Sequence, residues 1–181
     1  MGLCSIGSNE VVCDVNGSCS GSQGVPAILG LGSNIGSKRE NIARALAGLA
    51  AFDGIDVVKR SRDYKTPPWG ETDQDWFVNT CVLVNTTLTP YELLARCLSI
   101  EREMGRERGR KWGPRVIDLD ILVFGELEIC ESDLVVPHPY ITERAFVLAP
   151  LVEIAPDLLL KGKTVQQWLN DVSLKGIEPF E

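Results

Sequence analysis

The chain has 181 residues, 44% of them apolar and 24% charged, which bounds it as a globular protein with enough length for one real core. Its net charge of −7 argues against a general nucleic-acid binder. No apolar run approaches the ~20 residues that a bilayer requires, and the first basic residue is Lys38, so the basic region of a secretory signal is missing and a cytoplasmic protein is expected.

Residues 1–24 are rich in Gly, Ser, Asn and Cys and show no sustained period. They read as a flexible tail before a single domain over residues 25–181. Three of the six cysteines, Cys4, Cys13 and Cys19, lie in that tail, while Cys81 and Cys97 sit in apolar patterns and read as small core residues. Neither they nor Cys130 form a C-x-x-C pair, and there is one histidine, so a zinc site is not expected. A disulfide framework is not expected in a reducing compartment.

PAILGLGSN (26–34) predicts a strand running into a turn. Ser37 and Glu40 then form a capping-box pattern, and Ile42, Leu46 and Leu49 give a helical stripe behind it. GIDVVKRSRDYKT (54–66) reads as one strand, TPPWGETDQDW (66–76) as a loop broken by prolines, and FVNTCVLVN (77–85) as the next strand. Thr89, Pro90 and Glu92 open a second helix whose inner face is Leu93, Leu94, Cys97, Ile100 and Met104; Gly105 stops it. After a basic loop comes the strand RVIDLDILVF (115–124), then a return through residues 127–129 and 133–137. Two helical pieces end the chain, one over Glu143 to Ala149 and one opened by a Thr164/Gln167 box. This order, strand–helix–strand–strand–helix–strand, is the split βαβ arrangement. It predicts an α+β fold with a mainly antiparallel sheet, two helices on one face and the C-terminal helices on the other.

Side chains alternate along a strand, so Ile117, Leu119, Ile121 and Val123 are expected on one face and Asp118 and Asp120, followed by Leu122 and Phe124, on the other. Two carboxylates ~7 Å apart at Cα on a partly buried face repel each other, and something positive must balance them. Arginines in a structural network would do so; hard divalent cations would do so equally. Residues 102–115 hold six basic residues against two acidic ones, a local +4 that leaves −11 for the rest of the chain. Carboxylates that hold magnesium beside arginines that grip phosphate are the parts of phosphoryl transfer. GLGSNIGSK (30–38) fits neither the dinucleotide fingerprint nor the P-loop order and reads as a turn with a helix cap, from which Asn34 could face a ligand.

KWGPRVIDLDIL (111–122) resembles the signature of the 6-hydroxymethyl-7,8-dihydropterin pyrophosphokinases. LGLGSNIG (29–36), YKTPPWG (64–70), FVNTCV (77–82) and VPHPYITERAFVLAPL (136–151) accompany it in the same order, so the resemblance covers nearly all of residues 27–160. It implies a ferredoxin-like core with additions, making three α/β/α layers, and transfer of pyrophosphate from ATP to the pterin hydroxymethyl group with release of AMP. It implies two Mg²⁺ ions on Asp118 and Asp120. Arg106, Arg108 and Arg115 match basic positions that hold phosphate, with Arg106 and Arg115 beside the two aspartates as catalytic. His138, Arg144, Glu101 and Ile121 match positions around ATP. For the pterin, Asn79 would read the polar edge and Phe77 and Phe146 would sandwich the ring. Thr66, Pro67, Pro68 and Trp69 would wall it, and Trp112 would close as a lid. Two other functions fit the fold, a nucleic-acid-binding module and a non-catalytic small-molecule-binding domain. The first lacks the aromatic RNA-binding pattern, and the second has no need of two aspartates facing a basic loop.

Overall fold

The computed structural model describes residues 24–70, 73–106 and 113–180. The expectations for Arg108, Trp112, the cysteines before residue 20 and the tail over 1–23 lie outside the described residues.

The central strand is β1 (Val25–Ser33). On one side it pairs antiparallel with β4 (Phe77–Thr86), from Val25 opposite Thr86 to Ser33 opposite Val78; on the other side it pairs antiparallel with β5 (Asp118–Phe124). The far edge of β4 takes β2 (Ile55–Arg60) along one half and β3 (Tyr64–Thr66) along the other. A short strand near the C-terminus, β10 (Glu178–Pro179), pairs outside β3. The stretch 54–66, expected as one strand, is therefore two. At the break the Cys81 N–H donates to the Ser61 hydroxyl at 3.0 Å in place of a backbone carbonyl, and a side chain standing in the ladder lets the chain turn.

Two helices cover one face. In α1 (Lys38–Ala50) the expected box is absent: Ser37 makes no side-chain cap bond, and the turn before the helix is tied instead by Asn41, whose Nδ2 donates to Ser33 Oγ and to the Ile35 carbonyl. In α2 (Pro90–Glu103) Thr89 and Glu92 form the reciprocal box that the sequence predicts. Leu29, Leu31, Val82, Ile42, Leu49, Leu93, Ile100, Ile117 and Leu119 fill the layer between these helices and the sheet. The opposite face carries α3 (Ala145–Ile154) and α4 (Val165–Asp171), the latter opened by the expected Thr164/Gln167 box. Ile28, Cys81, Leu122, Leu148, Leu151 and Val165 form that second core. Two hairpins, β6 (Ile129–Cys130) with β7 (Val135–Val136) and β8 (Leu159–Leu160) with β9 (Lys163–Thr164), complete the additions.

The alternation in β5 holds as far as Leu122, which shares the face of the two aspartates. Ile28 pairs with Val123 and Leu29 with Ile121, so Leu122 has no partner across the ladder. This one-residue bulge sends Val123 into the α3 core beside Leu122 and returns Phe124 to the side covered by α1 and α2, with Ile117, Leu119 and Ile121. It falls after the two aspartates, so Asp118 and Asp120 keep the shared face that alternation gives them.

Candidate active site

The site is built on the end of the sheet where β1 finishes and β4 and β5 begin. Strand register places Gly32 between Asp118 and Asn79, and Gly30 between Asp120 and Cys81. Both acids thus look across backbone with no side chain on it, which leaves a trough in the sheet surface. The trough has little room to spare: a Cβ on Gly32 would lie 2.8 Å from Asn79 Oδ1, and one on Gly30 would lie 3.3 Å from Leu122. It opens into a cleft of about 930 Å³ that also runs over the edge strand β5 to α2, where Ala95, Leu98 and Arg102 form a wall.

Charge is dense around the acids. Arg106 pairs with both Glu101 and Asp118, and Arg115 pairs with the other oxygen of Asp118. Arg144 stands 3.6 Å from Asp120. Glu101 is buried and accepts the Leu119 N–H at 2.8 Å, so it fixes the start of β5 as well as Arg106. Burial raises the Glu101 carboxyl above its ordinary value, against the pull of that N–H and of Arg106. Burial alone would lower Arg106, yet the charges of Asp118 and Glu101 outweigh it and hold Arg106 above its usual range. Asp120 keeps 41% of its side-chain surface open to the cleft, but its carboxyl lies deep among protein atoms. That enclosure, and next the charge of Asp118, push it up to about 7.

His138 and Arg144 close the side of the cleft toward α3. The Tyr140 N–H donates to His138 Nδ1 at 3.2 Å. A neutral imidazole has one acceptor nitrogen and one N–H, so its proton sits on Nε2, and the Arg144 guanidinium 3.4 Å away is a neighbour rather than a donor to it. Burial first and Arg144 second lower His138 to about 4, which keeps the ring neutral near pH 7. Burial likewise lowers Arg144. Its guanidinium packs 4.8 Å from the Trp69 ring, 5.4 Å from Tyr140 and 5.6 Å from Phe146, while Trp69 leans on both of the other rings. At the floor Asn79 Nδ2 donates to the buried Thr66 hydroxyl at 2.7 Å, which orients the amide and leaves Oδ1 over Gly32.

The described site residues therefore converge, with two exceptions. Thr66, Pro67, Trp69, Phe77, Asn79, Glu101, Arg106, Arg115, Asp118, Asp120, His138, Arg144 and Phe146 all line the cleft. Pro68 does not line it, and the Ile121 side chain points the other way, into the core beneath α1 and α2. A nucleotide contact from Ile121 would have to use its backbone. Arg108 and Trp112 lie outside the described residues. Sequence reasoning missed Gly30 and Gly32; a step of two between glycines, matching the step of two between the aspartates, was the available signal. It also gave Asn34 a ligand-facing role. The structure shows Asn34 buried as a clip: its Oδ1 accepts the Arg115 N–H at 2.8 Å, its own N–H donates to the Arg115 carbonyl, and its Nδ2 donates to Gln74 at 3.0 Å.

The acid pair fits magnesium. Both donors are hard oxygens, and the raised Asp120 carboxyl marks a place where added positive charge is favoured. Among the described residues no group of three or more His, Cys, Asp or Glu is set to hold a metal. An ion here would be held by one or two carboxylates, with substrate oxygens and water completing its shell, as magnesium commonly is. With acids and arginines on one side and aromatic rings on the other, the cleft has the chemistry to hold a magnesium-bound polyphosphate beside a flat ring.

The sequence model of 7,8-dihydro-6-hydroxymethylpterin-pyrophosphokinase matches residues 28–156. A 2-amino-4-hydroxy-6-hydroxymethyldihydropteridine pyrophosphokinase of Methylorubrum extorquens is 56% identical over 155 residues, 86% of this chain and 98% of the relative. The enzyme of the same name in Bacillus subtilis is 47% identical over 128 residues, 71% of this chain and 77% of that one. The fold resembles that of a Plasmodium falciparum HPPK-DHPS solved with pteroate, with a TM-score of 0.67 at 18% identity, over 81% of this chain and 42% of that longer one. The chain belongs to the 6-hydroxymethyl-7,8-dihydropterin pyrophosphokinase family.

Proposed function

We propose that the protein moves the terminal pyrophosphate of ATP onto the hydroxymethyl oxygen of 6-hydroxymethyl-7,8-dihydropterin and releases AMP, a step of folate synthesis. The observation that carries this reading is the pair of carboxylates facing two side-chain-free positions of the neighbouring strand, ringed by Arg106, Arg115 and Arg144. A triphosphate can lie against that trough, whereas a larger side chain at Gly30 or Gly32 would fill it. Asp118 and Asp120 would hold two magnesium ions, which would supply positive charge to offset that of the triphosphate.

The chain's own residues supply position and charge. Arg115 and Arg106, now paired with Asp118, are within reach of phosphate oxygens placed beside it, and a guanidinium can exchange one oxyanion partner for another at small cost. His138 offers a neutral Nε2–H donor, and Arg144 a cation held rigid by three rings. Arg108 and Trp112 are proposed to join as the basic loop closes. The pterin is proposed to lie where Thr66, Pro67, Trp69, Phe77, Asn79 and Phe146 meet, with the Asn79 Oδ1 accepting from its polar edge and Phe77 and Phe146 stacking on its faces. Pro68 and Ile121 keep at most backbone roles. Most of the acceleration then comes from alignment and from charge fixed in advance.

Residues 25–181 are proposed to act as one domain. Among the described residues no helix is long and apolar enough to cross a membrane, and Cys81, Cys97 and Cys130 are unpaired thiols. The proposed compartment is the cytoplasm, where thiols stay reduced. The test is product analysis. Purified protein with ATP, Mg²⁺ and the hydroxymethyl dihydropterin should give AMP and the pterin diphosphate in equal amounts; ADP in place of AMP would overturn the reaction type.

A further inference from the structure

The last residues of the chain lie beyond the stretch that the family model matches, residues 28–156, and have no place in the chemistry above. Yet they reach both described arms of the loop between β3 and β4, residues 67–70 and 73–76. At the turn before β10, Gly176 approaches the first arm so closely that a Cβ there would meet the Pro67 ring at 3.6 Å. β10 then pairs with β3, Glu178 opposite Lys65 and Pro179 opposite Tyr64, and the Phe180 N–H donates to the Asp63 carbonyl at 2.8 Å. Phe180 meets Trp76 edge-to-face with centroids 5.1 Å apart. Trp76 ends the second arm and immediately precedes Phe77. The Lys38 ammonium covers the Trp76 ring at 3.9 Å and pairs with Asp75, while Arg39 stacks on Phe180 and pairs with Asp63.

We propose that β10 and Phe180 brace the pterin side of the cleft, so that the C-terminal strand governs affinity for the acceptor without touching it. The inference rests on the pterin placement given above. The loop arms carry Pro67 and Trp69 at one end and lead into Phe77 at the other, and Asn79 is oriented by Thr66 on β3, the strand that β10 covers. The acids of β5 are three strands on from β3, across β4 and β1. An effect passed through the brace therefore reaches the pterin residues before the phosphate residues. A two-residue strand cannot hold itself in place by ladder bonds, so the Phe180–Trp76 contact is its anchor. Phe180 is a positioning residue.

The test uses the full chain with Phe180→Ala and Phe180→Tyr. The alanine variant should raise the KM for the hydroxymethyl dihydropterin about three- to tenfold, as loss of one aromatic pair and its burial implies, with the KM for ATP and kcat unchanged. The tyrosine variant should restore the pterin KM. Hydrogen exchange supplies a reading independent of turnover: in the alanine variant, amides of residues 73–76 should lose protection while those of β5 keep theirs. If both KM values move together, or neither moves, the brace is overturned. If the unaltered protein does not turn over the pterin, the functional reading fails, and exchange decides the brace alone: protection lost over 73–76 upholds it, and protection unchanged refutes it.

Discussion

Two ionisable residues in the cleft pull stability in opposite directions with pH. Asp120, raised from 3.8 to about 7, holds its proton more tightly in the folded chain than in the unfolded one. Its contribution is complete at low pH and is lost as pH rises through about 7. His138, lowered from 6.5 to about 4, is harder to protonate when folded, so its contribution is complete above 6.5 and lost as pH falls toward 4. The windows overlap and the slopes oppose each other. Thermal melting from pH 4 to 8, without added divalent cation, should separate them. Asp120→Asn should melt at increasing temperature from pH 4 to 7, and His138→Gln at decreasing temperature over the same range. If both variants keep the profile of the unaltered protein, these assignments are wrong. A second residue-scale test concerns Gly32. A methyl group there must displace the Asn79 amide from 2.8 Å, so Gly32→Ala should cut kcat/KM on the order of tenfold or more, given how steeply rate depends on placement. Unchanged kinetics would show that the trough is not used.

At the scale of single elements, the helix starts show what local pattern can decide. Ser37/Glu40, Thr89/Glu92 and Thr164/Gln167 carry related spacings, yet Thr89 and Thr164 close their boxes and Ser37 does not. Thr89 and Thr164 enter from extended backbone, which suits a cap. Ser37 follows a tight turn whose polar groups Asn41 already satisfies from inside the core. Thr89→Ala should therefore cost about 1 kcal/mol, while Ser37→Ala should be close to neutral; urea unfolding of the two variants compares them directly. The reverse order of costs would contradict the cap geometry. The strands tell a similar story. Alternation placed Asp118 and Asp120 on the cleft face, but it misplaced Val123 and Phe124, because a bulge depends on how two strands are registered and not on either strand alone.

For the whole molecule, the sheet order follows from the succession of elements, since short connections and a split βαβ pattern leave few alternatives. The acids and arginines of the cleft were legible because charged residues inside an apolar strand need a reason. The Asn34 clip was not legible, because its partner Arg115 lies 81 residues away along the chain, and Gly30 and Gly32 left only their matching step of two as a signal, since the acids they face lie 86 to 90 residues on. The break at Ser61 depends on Cys81 across the sheet, and a two-residue strand such as β10 has no periodicity to read. What unites these parts is the claim that a carboxylate pair on the sheet holds metal against a triphosphate. Crystals grown with Mn²⁺ and a non-hydrolysable ATP analogue test that claim most directly. Anomalous density should lie within bonding distance of the Asp118 and Asp120 carboxylates, and a bound nucleotide with no metal on either acid would contradict it.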